Sequence, residues 1–412
     1  MGLGHVRGMP CVACGRLQRL APRADCPDCG AQNALEIGYG LEDVARLLDR
    51  PSLERREPWL WRFKELLPVD ELADLPHLQV GMTPVYGAPR LAAWAGLQGL
   101  WLKDEGRAPT GSIDDRAAAL AAARAEARGA RVLALATRGP GAASLACFAA
   151  ALGARAVLFE PGDADAFPAA PNLFGAVRLR LEAGLEETSR LCLEACARFG
   201  WYHAGGAERP YLAEGLKTAG LEVGEQLGER MPDWIAIPVG EGETLAAVHK
   251  GLREAQALGL AAAVPKVLGV QPLAAAALVR AFESGEEPGA LEPEPTAALR
   301  LSVGRPRAWR KALAAVRGSG GAMIAVGEDE LLEAAHETAR LGAVAADPAA
   351  AAAIAGLRRA VARGIIGGGK TALALVTGSG SADGRGRQDP VPVPAELEAV
   401  EQQVRSLGLA FL

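Results

Sequence analysis

Eight short apolar runs punctuate the chain from about Leu100 onward: LWL (100–102), RVLALA (131–136), RAVLF (155–159), VRLRL (177–181), WIAIPV (234–239), KVLGVQ (266–271), AMIAV (322–326) and ALALVTG (372–378). Each ends in a polar or glycine turn, and alanine-rich stretches of helical character separate them. Strand-type runs alternating with helices predict parallel sheets covered by helices on both faces. Ligands on such sheets bind outside the carboxyl ends of the strands, so the informative residues are those just after each run. Four turns stand there: DEGRAPTGSIDDR (104–116), ATRGPGAAS (136–144), PVGEGET (238–244) and VTGSGS (376–381).

Length and composition support a folded chain of two or three domains: 412 residues, 50% apolar and 23% charged. With 44 basic against 49 acidic side chains the formal charge is −5, which leaves no cationic surplus for a nucleic-acid backbone. The uncharged run from Gly139 to Ala154 contains Pro140 and falls short of the roughly 18 apolar residues of a membrane span. The first residues have no apolar leader, so a reducing cytoplasm is the expected setting for the seven cysteines.

Four of those cysteines fall in a turn-rich stretch of about 40 residues that lacks a helical period of its own. Cys11-x-x-Cys14-Gly and Cys26-Pro-x-Cys29-Gly are two knuckles separated by eleven residues, a spacing that lets four thiolates converge on one tetrahedral zinc ion. Such a site is closed and structural; the competing readings are a pair of redox dithiols or a decayed ribbon without metal. Cys192 and Cys196 share one helical face and, like Cys147, read as core thiols. Residues 41–78 form a strap: Val44, Leu47 and Leu48 at helical spacing, then Trp59, Leu60 and Trp61 beyond Pro51.

The segments GMTPVYGAPRLAAWAGL (81–97), LWLKDEGRAPTGSIDDR (100–116), YLAEGLKTAGLEVGEQLG (211–228) and PDWIAIPVGEGETLAAVHKGL (232–252) resemble those of threonine synthase and its relatives among the fold-type-II pyridoxal-phosphate enzymes. The likeness runs from roughly Trp59 to Ser381, and an amino-terminal zinc ribbon occurs in some members. It implies an α/β, tryptophan-synthase-β-like fold with two open, mostly parallel sheets. The units it implies are a zinc-ribbon-like module (1–40), the strap (41–78), a large domain (79–107 with 230–412) and a smaller one (108–229).

The same resemblance implies a cofactor lysine inside Ser-Phe-Lys-Asp-Arg, where this chain reads Ser112-Ile113-Asp114-Asp115-Arg116. Asp114 cannot form an imine. It does suit the first turn of a helix, where a carboxylate complements the dipole and Ser112 reads as the cap. The asparagine expected beside the cofactor's phenolic oxygen is Pro140, and the phosphate loop reads Gly240-Glu241-Gly242-Glu243-Thr244, with two carboxylates that should repel a phosphate. Thr377 matches the hydroxyl that meets the pyridine nitrogen.

Ser112, Gly240, Gly242, Thr244 and Thr377 are therefore the expected cofactor contacts, vestigial if none binds. Asp114, Asp115, Glu241 and Glu243 stand against Arg116 and Arg138, a balance suited to a cation or neutral ligand. The expectation is a pseudoenzyme holding structural zinc and no covalent pyridoxal phosphate. It would bind a small metabolite in the interdomain cleft, or a second copy or active paralogue at its surface. The alternatives are a threonine-synthase-type lyase, or a cofactor-free enzyme with Asp114 as acid and base.

Overall fold

The computed structural model describes residues 5–70, 76–137, 139, 141–162, 170–380 and 391–409. The amino-terminal module carries β1 (Val6–Pro10), β2 (Leu17–Gln18) and β3 (Gly38–Tyr39), antiparallel in the order β2-β1-β3. β4 (Val85–Gly87) and β5 (Gly99–Asp104) follow the strap. Then come β6 (Val132–Ala136), β7 (Arg155–Pro161), β8 (Val177–Leu181) and β9 (Tyr202–His203). The chain continues through β10 (Trp234–Pro238), β11 (Lys266–Pro272), β12 (Ala322–Val326) and β13 (Thr371–Val376) to β14 (Val391–Val393).

All eight apolar runs are strands. The larger sheet has the order β12-β11-β10-β13-β5-β4 and is parallel except for the β4–β5 pair. The smaller sheet, β14-β8-β7-β6-β9, is parallel throughout.

Burial on both faces explains why the strands read as continuous apolar runs rather than alternating ones. On one face of the larger sheet lies the helix Pro348–Ala362, whose Ala349 to Ala353 are at most 2% exposed. Helices Arg209–Leu227, Glu243–Ala257 and Trp309–Gly318 cover the other face. The first two touch backbone to backbone, since a Cβ on Gly251 would sit 2.1 Å from the Lys217 carbonyl oxygen. Val44 and Leu48 of the strap are buried against these same helices, whereas Leu47 turns to solvent at 50% exposure because the short helix ends at Val44.

One boundary differs from expectation. β14 pairs with β8 through Val391–Leu179 and Val393–Leu181, and Val400, Val404 and Leu409 bury beside Leu191, Cys192 and Cys196. The segment 391–409, assigned to the large unit from sequence, sits on the smaller sheet. Pro392 is compatible with this because β14 is an edge strand. No helix among the described residues is long and apolar enough to cross a membrane.

Candidate active-site cleft

The loops that follow β5, β10 and β13 meet at the carboxyl ends of their strands. The turn before helix Asp114–Glu126 is stitched to the loop after β13: Ile113 N donates to Thr377 O at 2.9 Å and Ser379 N to Gly111 O at 2.9 Å. The loop after β10 leads into helix Glu243–Ala257 through Gly242, whose φ of +91° is a left-handed conformation that favours glycine. A Cβ there would lie 2.9 Å from Ala312 Cβ.

Together these segments enclose a cleft of about 240 Å³ whose wall includes Ser112, Asp114, Gly240, Gly242, Thr244 and Thr377. Every residue named above as an expected cofactor contact is thus on one wall.

The charges differ from the sequence expectation. Glu241 does not face a ligand freely, since its Oε2 accepts from Arg307 N at 2.8 Å at the start of helix Trp309–Gly318. Glu243 accepts from Arg209 Nη1 at 3.3 Å and lies 3.6 Å from Lys311 Nζ. The two carboxylates expected to repel a phosphate are already partnered, by groups too distant in sequence to be foreseen. Asp115 turns inward, accepting from Thr110 N at 2.8 Å and Thr110 Oγ1 at 2.6 Å. Arg116 is fully buried away from the cleft. Arg138 and Pro140 lie outside the described residues.

Two cations line the cleft that sequence reasoning missed. Arg300, from the turn Leu299–Leu301, lies 3.4 Å by its Nε from Asp347 Oδ2, and Arg209 starts its helix with an Nε that is buried and has no acceptor among the described residues. Nothing in the proline- and glutamate-rich stretch 286–296 signalled Arg300. Asp347 also caps helix Pro348–Ala362 through Ala350 N, at 2.7 Å.

Asp114 sits in the first turn of its helix, as expected, but the cap position belongs to Ile113; Ser112 Oγ accepts from Asp114 N at 3.2 Å. Burial pushes the Asp114 carboxyl above the ordinary range, opposed by the charge of Arg300 and by Ser112. Its Oδ2 also approaches Gly141, where helix Gly141–Ala151 begins. The cleft wall therefore carries Asp114 with Arg209 and Arg300 beside the glycine loop, Arg209 paired with Glu243 and Arg300 with Asp347.

The two histidines within strand–turn segments, His203 and His249, are not on this wall. Burial, with Arg253 nearby, depresses His249 to about 4. Below about pH 6.5 the unfolded chain takes up a proton that the folded one refuses, so stability falls as pH drops from there to about 4, by up to about 3 kcal/mol. Burial raises Asp115 to about 6, which acts in the opposite sense over the same window. Denaturant unfolding from pH 7 to 4.5 should therefore show a shallower acid loss in His249→Asn than in the unsubstituted protein.

In the cysteine module, Cys11, Cys14, Cys26 and Cys29 offer four sulfurs all within 4.8 Å of one another. Cys11 Sγ–Cys29 Sγ and Cys14 Sγ–Cys26 Sγ are each 3.8 Å apart. Zinc–sulfur bonds of about 2.3 Å in a tetrahedron put the sulfurs roughly 3.8 Å apart, so the donor set suits zinc. Cys192, Cys196 and Cys147 are buried in apolar clusters, as expected of core thiols.

Comparison with known proteins agrees with this architecture. A family model described as pyridoxal-phosphate dependent enzyme matches residues 77–378. The threonine synthase of Methanosarcina acetivorans is 33% identical over 374 residues, 90% of this chain and 91% of that protein. That of Methanocaldococcus jannaschii is 30% identical over 371 residues, covering 89% and 91%. Among solved structures, a threonine deaminase from T.th. superposes with a TM-score of 0.60 at 25% identity, covering 75% of this chain and 94% of that one.

Proposed function

This chain belongs to the pyridoxal-phosphate dependent enzymes, within the threonine synthase family, and on that premise we propose that its cleft binds a small metabolite without Schiff-base chemistry. What supports this reading above all is the lining: Asp114 stands where the resemblance puts the lysine, and no lysine is on the wall.

The chain's lysines are engaged or directed elsewhere. Lys103 and Lys217 are fully buried in ion clusters, Lys250 pairs with Glu214, Lys311 approaches Glu243 from behind the loop, and Lys370 pairs with Asp233. Lys266 lies over the Trp234 ring, and Lys64 is exposed on the strap. The residues present suit an oxyanion at the glycine loop but do not fit the cofactor's aldehyde.

With both loop glutamates partnered, the cleft is better matched to a zwitterion than to the cation expected from sequence. An anionic group fits Arg209, Arg300 and the loop N–H groups, and an ammonium fits Asp114. The structural ion in the cysteine module is zinc in this reading, and a second copy or an active paralogue is the expected protein partner.

Mixing the purified protein with pyridoxal phosphate tests the central claim. No imine absorbance and no pyridoxyl mass after borohydride are expected for the unsubstituted chain, whereas Asp114→Lys should gain both. A stoichiometric pyridoxyl adduct on the unsubstituted protein overturns the reading. The raised carboxyl of Asp114 favours a second reading, in which it moves a proton on a bound substrate. Threonine formation lost in Asp114→Asn would favour that one.

A further inference from the structure

A second cavity, of about 410 Å³, opens between helices Glu243–Ala257 and Trp309–Gly318, and Val12 and Glu36 of the cysteine module form part of its wall. His249, Lys250, Arg253 and Lys311 line it against one carboxylate, Glu36. Lys250 is engaged, donating to Glu214 Oε1 at 2.5 Å and to Ile37 O at 2.6 Å. Lys311 has only the distant Glu243 Oε1 at 3.6 Å.

Two side chains have no partner among the described residues. His249 is only 7% exposed, and its imidazole makes no hydrogen bond. Arg253 is exposed, one helical turn along the same face, and forms no ion pair. Most of the His249 side chain is packed, while its ring nitrogens reach the cavity, so the imidazole offers a donor and an acceptor to whatever fills a space of ligand size. Water would satisfy the ring, but it would leave the Arg253 guanidinium without a counter-ion.

We propose that this cavity is a binding site for a small oxyanion, a carboxylate- or phosphate-bearing metabolite, held by Arg253 and the His249 ring N–H with Lys311 at its inner end. The neutral state that burial imposes on His249 keeps one ring nitrogen a donor and the other an acceptor, so the guanidinium supplies the charge and the imidazole the direction. The site is independent of what the cleft binds.

Calorimetry on the full-length protein in chloride buffer tests it, with citrate and inorganic phosphate as probes and glycerol as the uncharged control. At least one anionic probe should bind one per chain, at least about tenfold more weakly in Arg253→Glu, less affected in Arg253→Lys and unchanged in the cleft variant Arg300→Ala. Saturation should also shift the imidazole proton signal that disappears in His249→Asn. Because Arg253 is exposed and unpaired, its substitutions should leave thermal stability unchanged. Absence of binding by both probes overturns the proposal. So does equal affinity in Arg253→Glu, or a loss confined to Arg300→Ala, which would place the anion in the cleft.

Discussion

Arg116→Met should lower the free energy of unfolding by about 3–5 kcal/mol, the range found when one member of a buried ion pair is removed. Arg116 donates from Nε and Nη2 to Glu105 at 2.8 and 2.9 Å, and from Nη1 and Nη2 to Glu222 at 2.6 and 2.7 Å. Lys103 Nζ adds a 2.7 Å bond to Glu222 Oε2, and all four side chains are fully buried. Two cations against two anions make the cluster neutral; losing the guanidinium strands a carboxylate in a dry interior.

The cluster joins β5, helix Asp114–Glu126 and helix Arg209–Leu227, so the loss should appear in the global transition, measured by denaturant unfolding. Glu222→Gln in the Arg116→Met background should cost less than Glu222→Gln alone, because the cation it would have stranded is already gone. Burial alone would raise Glu222, yet Arg116 and Lys103 hold it at about 2. Its contribution is therefore complete above the ordinary carboxyl value of 4.5 and drains away as pH falls from there through about 2.

If the cysteine module holds the zinc proposed for it, chelation, or Cys26→Ser, should unfold residues 6–40 while the two main sheets persist. Structural zinc contributes roughly 10–16 kcal/mol to modules of this size at neutral pH, far more than the few buried apolar side chains around Met9, Leu35 and Ile37 can replace. Hydrogen exchange before and after chelation should show amides of the module losing protection while those of β10 and β13 keep it.

The body should not escape unchanged. Tyr211 OH donates to Ala21 O at 3.1 Å, Lys250 Nζ to Ile37 O at 2.6 Å, and Lys217 Nζ lies 4.0 Å from the Tyr39 ring centroid. Losing those contacts exposes Tyr211 and thins the partners of two lysines, so a modest fall in the body's melting temperature should accompany the loss. Zinc absent from freshly prepared protein by metal analysis would refute the premise.

The sequence disclosed what depends on local pattern. Each apolar run became a strand because both sheet faces are covered, and the two Cys-x-x-Cys knuckles converge because spacing and the glycine after each pair dictate their turns. The cleft's residues were legible through their position after the strands. Its electrostatics were not, because they depend on partners from distant elements: Arg307 N for Glu241, Arg209 and Lys311 for Glu243, Arg300 beside Asp114. Residue type named the charge, and tertiary structure decided whether it was free. Likewise VPV at 391–393 is too short to announce its pairing, and only the bare edge of β8 gives it a place.

That placement of β14 has a practical corollary for anyone dissecting the molecule. The polypeptide visits the smaller sheet, departs for the larger, and comes back to close the first one at its rim. No contiguous clone can contain one lobe without amputating the other, and a stop codon at 390 would leave Leu179 and Leu181 as a sticky, hydrogen-bond-hungry margin inviting self-association.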